Sequence, residues 1–246
     1  MKSGFVAIVG RPNTGKSTLI NALVGQKVAI TSHHPNTTRH AIRGIVNGPD
    51  FQAVLVDTPG IHKPKTLLGS RLNELVKQTW SEVDVVVFCV PADQKIGPGD
   101  RFIVQEINEQ IRKPKIGVLT KIDLVNPNLI VERLIELEKV SKDFGFDWDE
   151  IIPISSESEE NVDKLSNLII KYLPEGPELY PSEIFTEEPI ETLVAEFIRE
   201  AALEDLREEL PHSITVTIDE MTKRENKDFF DIHATIHIER DSQRGI

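Results

Sequence analysis

The chain has 246 residues, with 28 Lys+Arg against 40 Asp+Glu and a formal net charge of −12. Its 39% hydrophobic and 28% charged residues exclude an intrinsically disordered chain. The longest apolar runs, such as Phe5–Val9 and Val83–Val90, are too short to span a bilayer. The N-terminal MKSGFVAIVGRP lacks the apolar stretch and cleavage site of a secretory signal, and the single cysteine, Cys89, excludes an intramolecular disulfide. A cytoplasmic protein is expected. Residues 1–173 carry 21 basic and 21 acidic side chains, whereas residues 174–246 carry 7 and 19, so the excess charge is C-terminal. Nucleic-acid-binding surfaces normally have a basic footprint, which that part lacks.

In chain order, the pattern predicts a strand at Phe5–Val9, a helix at Lys16–Val24, strands at His40–Val46 and Gln52–Val56, and a helix at Leu67–Thr79. Strand Val83–Val90, helix Asp100–Ile111, strand Lys115–Leu119, helix Asn128–Asp143, strand Ile151–Ile154 and helix Asn161–Tyr172 follow. Alternating strands and helices, with near-continuous apolar strands such as VDVVVFCV, predict an α/β fold around a mostly parallel six-stranded sheet. Ligands of such folds bind at the carboxyl ends of the strands. Residues 1–173 read as one domain and the proline-rich 174–188 as an extended linker. Residues 189–246 read as a second, incomplete α+β domain: helix Ile190–Leu210, with Leu193, Phe197, Ala201 and Leu206 along one side, then strands Ser213–Met221 and Phe229–Glu239. Helix, strand and strand are too few to cover both faces of their own sheet.

Gly10-Arg11-Pro12-Asn13-Thr14-Gly15-Lys16-Ser17 matches G-x-x-x-x-G-K-[ST] between a predicted strand and a predicted helix. The glycines let the backbone from Gly10 through Thr14 and Gly15 wrap a phosphate with successive N–H groups at a helix N-terminus. Lys16 can reach β- and γ-phosphates, and the Ser17 hydroxyl can ligate Mg²⁺. Asp57-Thr58-Pro59-Gly60 closes a later strand, placing Asp57 to hold Mg²⁺ through water and the Gly60 N–H to sense a γ-phosphate. Between them, Pro35-Asn36-Thr37-Thr38-Arg39 offers a threonine that can bind Mg²⁺ with a triphosphate and release after hydrolysis. In Thr120-Lys121-Ile122-Asp123, the Asp123 carboxylate can accept both N1–H and the 2-amino group of guanine, which adenine lacks; such a bidentate pair discriminates by roughly 1–3 kcal/mol. Ile154-Ser155-Ser156 can present a backbone N–H to the guanine carbonyl.

With these motifs, and with GRPNTGKSTLINALVGQKVAITS, PNTTRHAIRGI, DTPGIHKPKTLLG, EELPHSITV and IHIERDSQRGI, the whole chain resembles the Era family of ribosome-assembly GTPases. The resemblance implies a P-loop GTPase domain joined to a KH domain that binds the 3′ end of 16S rRNA in the small ribosomal subunit. It also implies GTP/GDP and Mg²⁺ as ligands, a monomer, and peripheral association with the inner face of the cell membrane. Carried over by motif, Asn13, Gly15, Lys16, Ser17 and Thr18 contact phosphates or metal. Thr38 is the switch threonine, Asp57 and Gly60 sense metal and γ-phosphate, and Thr120, Lys121, Asp123 and Ser156 surround the base. Ser17, Thr38 and Asp57 form the metal set, and Lys16, Thr38 and Gly60 the catalytic one.

Three departures from the family pattern, and one from Ras-like GTPases, set further expectations. Thr120 replaces the asparagine of the family's NKxD motif, which bears on nucleotide affinity, and Ser155-Ser156 replaces its SA pair. The position after Gly60 is Ile61, where Ras-like GTPases carry a water-orienting glutamine, so intrinsic turnover is expected to be slow. Backbone, a partner or a monovalent cation would then position the water. Asn13 matches the asparagine of potassium-dependent GTPases and reads equally as a loop-stabilising amide. The sequence stops at Arg244-Gly245-Ile246, short of a KH domain's G-x-x-G loop, so weak RNA binding is expected of these residues. Lys223, Arg224 and Lys227 form a basic cluster among Glu220, Glu225 and Asp228, and an RNA-binding module with a regulatory or decayed GTPase half is the alternative reading. An ATPase is the alternative enzyme.

Overall fold

The computed structural model describes residues 1–31, 42–57, 83–204, 214–225 and 229–238. Thr38, Gly60, Ile61 and the expected helix Leu67–Thr79 lie outside the described residues. Two compact units are present: Met1–Ala29 with Thr38–Glu187, and Ile30–Thr37 with Glu188–Ile246.

The first unit is built on strands β1 (Lys2–Val9), β2 (Ile42–Gly48), β3 (Phe51–Asp57), β4 (Val85–Pro91), β5 (Lys115–Thr120) and β6 (Glu150–Pro153). They form one sheet in the order β2-β3-β1-β4-β5-β6. All neighbours are parallel except β2, which runs antiparallel to β3 as a hairpin. Helices α1 (Lys16–Val24), α2 (Pro98–Gln110), α3 (Pro127–Asp143) and α4 (Val162–Tyr172) cover both faces. The strand period of two divides the core. Val6 and Ile8 of β1 face Leu19 and Leu23 of α1 and Leu165 and Ile169 of α4, while Ala7 and Val9 face the cluster of Ile103, Ile107, Leu137 and Val140 from α2 and α3. On that second face Phe88 and Trp148 stack with ring centroids 5.5 Å apart, and the Trp148 indole N–H donates to the Leu137 carbonyl at 2.9 Å. The mixed, mostly parallel α/β sheet expected from the alternation is therefore present. Helix α2 begins at Pro98 rather than the expected Asp100. Proline suits the first helical position, and the Asp100 carboxylate accepts the Gly97 N–H at 2.8 Å.

Residues 174–187, expected as a linker, instead pack on the first unit. The Ile45 N–H of edge strand β2 donates to the Phe185 carbonyl at 2.8 Å, and Asn47 Nδ2 donates to the carbonyls of Ser182 and Ile184, each at 3.0 Å. The buried Gln52 amide donates to the Tyr180 carbonyl at 2.7 Å and accepts from the N–H groups of Leu179 at 2.8 Å and Tyr180 at 2.9 Å. An extended, proline-rich segment thus covers a strand edge whose backbone groups would otherwise be unpaired. At its end Arg43 bonds Glu187 at 2.9 Å, and the Tyr180 hydroxyl donates to the same carboxylate at 2.7 Å.

In the second unit, α5 (Ile190–Glu204) is followed by the antiparallel pair β7 (Thr215–Lys223) and β8 (Phe230–His237), with a register shift between Ile218 and Glu220. Among the described residues the helix packs through Ala195, Ile198, Ala202 and Leu203 against Ile214, Val216 and Ile238; of the expected stripe, Leu193 and Phe197 are half-buried, Ala201 is exposed and Leu206 lies outside the described residues. Apolar residues occur all around this helix, so spacing alone did not fix its buried side. The carboxylate of the buried Glu200 accepts both the Thr31 N–H at 2.8 Å and its hydroxyl at 3.0 Å.

The Gln52 contacts yield a prediction. Gln52→Leu leaves the Leu179 and Tyr180 N–H groups without their acceptor, at a cost of about 1–3 kcal/mol. Hydrogen exchange at residues 179–187 should accelerate while exchange in β1 and β4 stays slow.

Candidate nucleotide site

Four chain segments leave the carboxyl ends of parallel strands at one edge of the sheet: the loop after β1, Asp57 ending β3, Thr120–Asp123 after β5, and Ile154–Ser156 after β6. Parallel pairing brings them together, since Ile8 lies opposite Asp57, Pro91 opposite Thr120 and Leu119 opposite Pro153.

The loop Gly10–Gly15 fits only without a side chain at its first position. A Cβ on Gly10 would lie 2.6 Å from the Cys89 carbonyl oxygen and 2.8 Å from Thr14 Oγ1. Asn13 and Gly15 adopt the left-handed region, with φ of 63° and 87°, and Gly15 caps α1. The loop folds around one carbonyl. Arg11 O accepts the Lys16 ammonium at 2.9 Å and the Thr14 hydroxyl at 3.0 Å. Lys16 is 6% exposed. Burial lowers its pKa from the ordinary lysine value, opposed chiefly by the Asp57 carboxylate. Cys89 is fully buried, and desolvation pushes its thiol up to about 12, so it is no nucleophile at neutral pH.

The Ser17 hydroxyl donates to Asp57 Oδ2 at 2.7 Å, and Asp57 is fully buried. A hydroxyl and a carboxylate are the hard oxygen donors Mg²⁺ prefers, beside a loop that cradles phosphate. Among the described residues no cluster of three or more His, Cys, Asp or Glu could hold a metal. Two protein oxygens suit an ion that takes its remaining ligands from phosphate and water.

At the base end, the buried Thr120 hydroxyl donates to the Thr14 carbonyl at 2.6 Å and lies 3.2 Å from the Val90 carbonyl. The threonine thus ties β5 to the phosphate loop and to the end of β4. Lys121 is left-handed at φ 58°, which turns the chain into a short 3₁₀ segment, Ile122–Leu124, that carries the exposed Asp123. A Cβ on Gly15 would lie 3.9 Å from Lys121 Cε, so the lysine stem runs over the loop. The Ile122 N–H donates to the Ile154 carbonyl at 3.3 Å, joining the two base-end loops. Ser155 is buried and closes its own loop: its N–H donates to Glu160 O and its Oγ accepts from Ser158 N–H, each at 3.1 Å. Its amide is thus committed within the loop, and Ser156 is the half-buried member of the pair. Gly10, Asn13, Thr14, Gly15, Lys16, Ser17, Thr18 and Asp57 thus lie together, with Thr120–Asp123 and Ser155–Ser156 alongside. Thr38 and Gly60 lie outside the described residues.

Sequence reasoning assigned nothing to the Arg11 side chain or to Asp100, which meet at this edge. Arg11 Nε donates to Asp100 Oδ1 at 2.7 Å. At a sequence separation of 89, no local pattern links the two.

The sequence family described as 50S ribosome-binding GTPase matches residues 5–121. The chain is 58% identical over 247 residues to the GTPase Era of Mycolicibacterium smegmatis, covering all of this chain and 81% of that one. It is 55% identical over 249 residues to that of Streptomyces coelicolor, covering all of this chain and 78% of that one. Among solved structures, it matches Era in complex with MgGDPNP and nucleotides 1506–1542 of 16S ribosomal RNA, with TM-score 0.90 and 40% identity over 98% of this chain and 80% of that one. A variant of Aquifex aeolicus Era bound to GDP·AlF₄⁻ matches with TM-score 0.89 and 38% identity, over 98% of this chain and 81% of that one. Identity of this extent along the full sequence, on a fold whose strand ends assemble the Gly10–Ser17 loop, the buried Asp57 paired with Ser17 and the Thr120–Asp123 turn, makes the chain a member of the Era family of GTPases.

Proposed function

We propose that the first unit binds guanine nucleotide through the residues described above and hydrolyses GTP to GDP and phosphate, and that the second unit couples this switch to 16S rRNA of the small ribosomal subunit. The observation that carries the catalytic half is the Ser17–Asp57 contact of 2.7 Å beside the buried Lys16. Lys16 and the loop N–H groups hold the β- and γ-phosphates, where a preorganised cation and fixed dipoles stabilise charge as it develops on the γ-oxygens. Ser17 and Asp57 hold Mg²⁺, which when bound neutralises phosphate charge. Thr38 and Gly60 respond to the γ-phosphate, and Asp123 selects guanine while Lys121 and Ser156 flank it.

Era bound to an rRNA segment supports the RNA partner. The second unit then reads as part of a KH-type domain over 189–246. In its described residues Arg224 already forks onto Asp231, with Nε–Oδ2 at 2.7 Å, and Lys223 lies over the Phe230 ring. These cations are thereby engaged within the unit, which supports weak RNA binding by these residues alone. No helix among the described residues is long and apolar enough to cross a membrane.

Three outcomes test this. Unlabelled GTP should displace labelled GDP and ATP should not; Asp123→Asn, with one acceptor oxygen in place of two, should weaken GDP binding by about 10- to 100-fold. Equal displacement by ATP overturns the guanine assignment. Thr120→Val keeps the side-chain shape and removes the donor shared by the Thr14 and Val90 carbonyls, so GDP affinity should fall about tenfold in equilibrium titration. Asn13 is read as a potassium ligand that compensates for Ile61, so single-turnover hydrolysis should be faster in potassium than in sodium buffer. Equal rates leave Asn13 as a loop amide.

A further inference from the structure

The Arg11 carbonyl gathers the Lys16 ammonium and the Thr14 hydroxyl, so its direction decides where Lys16 points. The side chain of the same residue is held from outside the loop. Arg11 Nε donates to Asp100 Oδ1 at 2.7 Å, and Nη2 donates to Gln94 Oε1 at 3.2 Å. Asp100 has no solvent exposure, whereas the Arg11 side chain keeps 27% of its own. Its second oxygen is fixed by the Gly97 N–H at 2.8 Å, so the carboxylate is locked into the first turn of α2. Gly99 completes the fit: a Cβ there would stand 2.8 Å from Arg11 Cδ.

We propose that Asp100 is a positioning residue for the phosphate loop: through Arg11 it orients the carbonyl that holds Lys16, and so sets how tightly nucleotide phosphates are gripped. The inference rests on the first unit being the GTP site. A buried carboxylate with one guanidinium partner is a stiff anchor, because releasing the arginine leaves an uncompensated charge in the interior. Such an anchor keeps the loop's geometry across cycles of binding and release, when Lys16 exchanges a phosphate for its carbonyl partner. It also makes the start of α2 part of the nucleotide site, although no atom of α2 belongs to the motif.

The test uses the full chain and a fluorescent GDP, with dissociation followed by stopped flow and thermal melting measured in parallel. Asp100→Asn keeps an acceptor for the Gly97 N–H and removes the negative charge that faces Arg11. Gly99→Ala leaves every partner in place and displaces only the arginine stem, on a helix where alanine is intrinsically favoured over glycine. Both variants should release GDP about tenfold faster, because small displacements of a positioning group are amplified at the reacting centre. The Gly99→Ala melting temperature should be unchanged or higher. Arg11→Met combined with Asp100→Asn should be no faster than the faster single variant, as expected of one coupled pair. Release from folded Gly99→Ala within twofold of the parent, or additive effects in the double variant, would overturn the proposal. A lowered Gly99→Ala melting temperature with unchanged release would overturn it as well. If nothing binds GDP, including the unaltered chain, it is the reading of the site that fails.

Discussion

An ammonium ion removed from water has to be surrounded by oxygen, and the nucleotide edge of this protein is organised around meeting that demand for Lys16. Burial lowers its pKa and the Asp57 carboxylate opposes that, while the Arg11 carbonyl accepts the ammonium at 2.9 Å. Everything else at the edge fixes those oxygens in place. Gly10 lets the loop press against β4, Thr14 and Asp100 hold the two ends of Arg11, and Ser17 holds Asp57.

Thr120 shows how a departure from the family pattern is accommodated. A hydroxyl is shorter than an asparagine amide and has one donor, so it cannot reproduce every bond an amide makes. Placed at the end of β5, it still reaches the Thr14 carbonyl of the phosphate loop at 2.6 Å. The end of β5 is thereby tied to the loop after β1. Lys121, in the left-handed conformation, redirects the chain immediately afterwards and lays its stem over Gly15.

Packing of 174–187 onto β2 and β3 gives that segment a second role besides spanning. Antiparallel β2 is the outer strand of the sheet, and its free edge is covered by Phe185 and Thr186. The same strand carries Arg43, whose guanidinium meets Glu187, the last residue of the first unit. Edge protection and the start of the path toward the second unit thus share one set of hydrogen bonds.

The sequence by itself determined the α/β class, the sheet's strands and the phosphate loop, because each has a local signature: strand runs bounded by turns, helix-period spacing, and fixed Gly and Lys offsets. Asp57 and the Thr120–Asp123 turn were legible as strand-ending residues following such a loop. Only the tertiary structure decided which distant groups meet. Arg11 and Asp100, and Thr120 and Thr14, are joined across long stretches of chain by parallel pairing that no local period encodes, and Gln52 meets Tyr180 because residues 174–187 fold back onto the sheet. It also decided that the proline-rich segment lies along β2, since extended composition looks the same whether its backbone groups are met by water or by a strand edge. The buried side of α5 was hidden for a related reason. Apolar residues surround that helix, and its partners Ile214, Val216 and Ile238 select a face that spacing alone leaves undetermined.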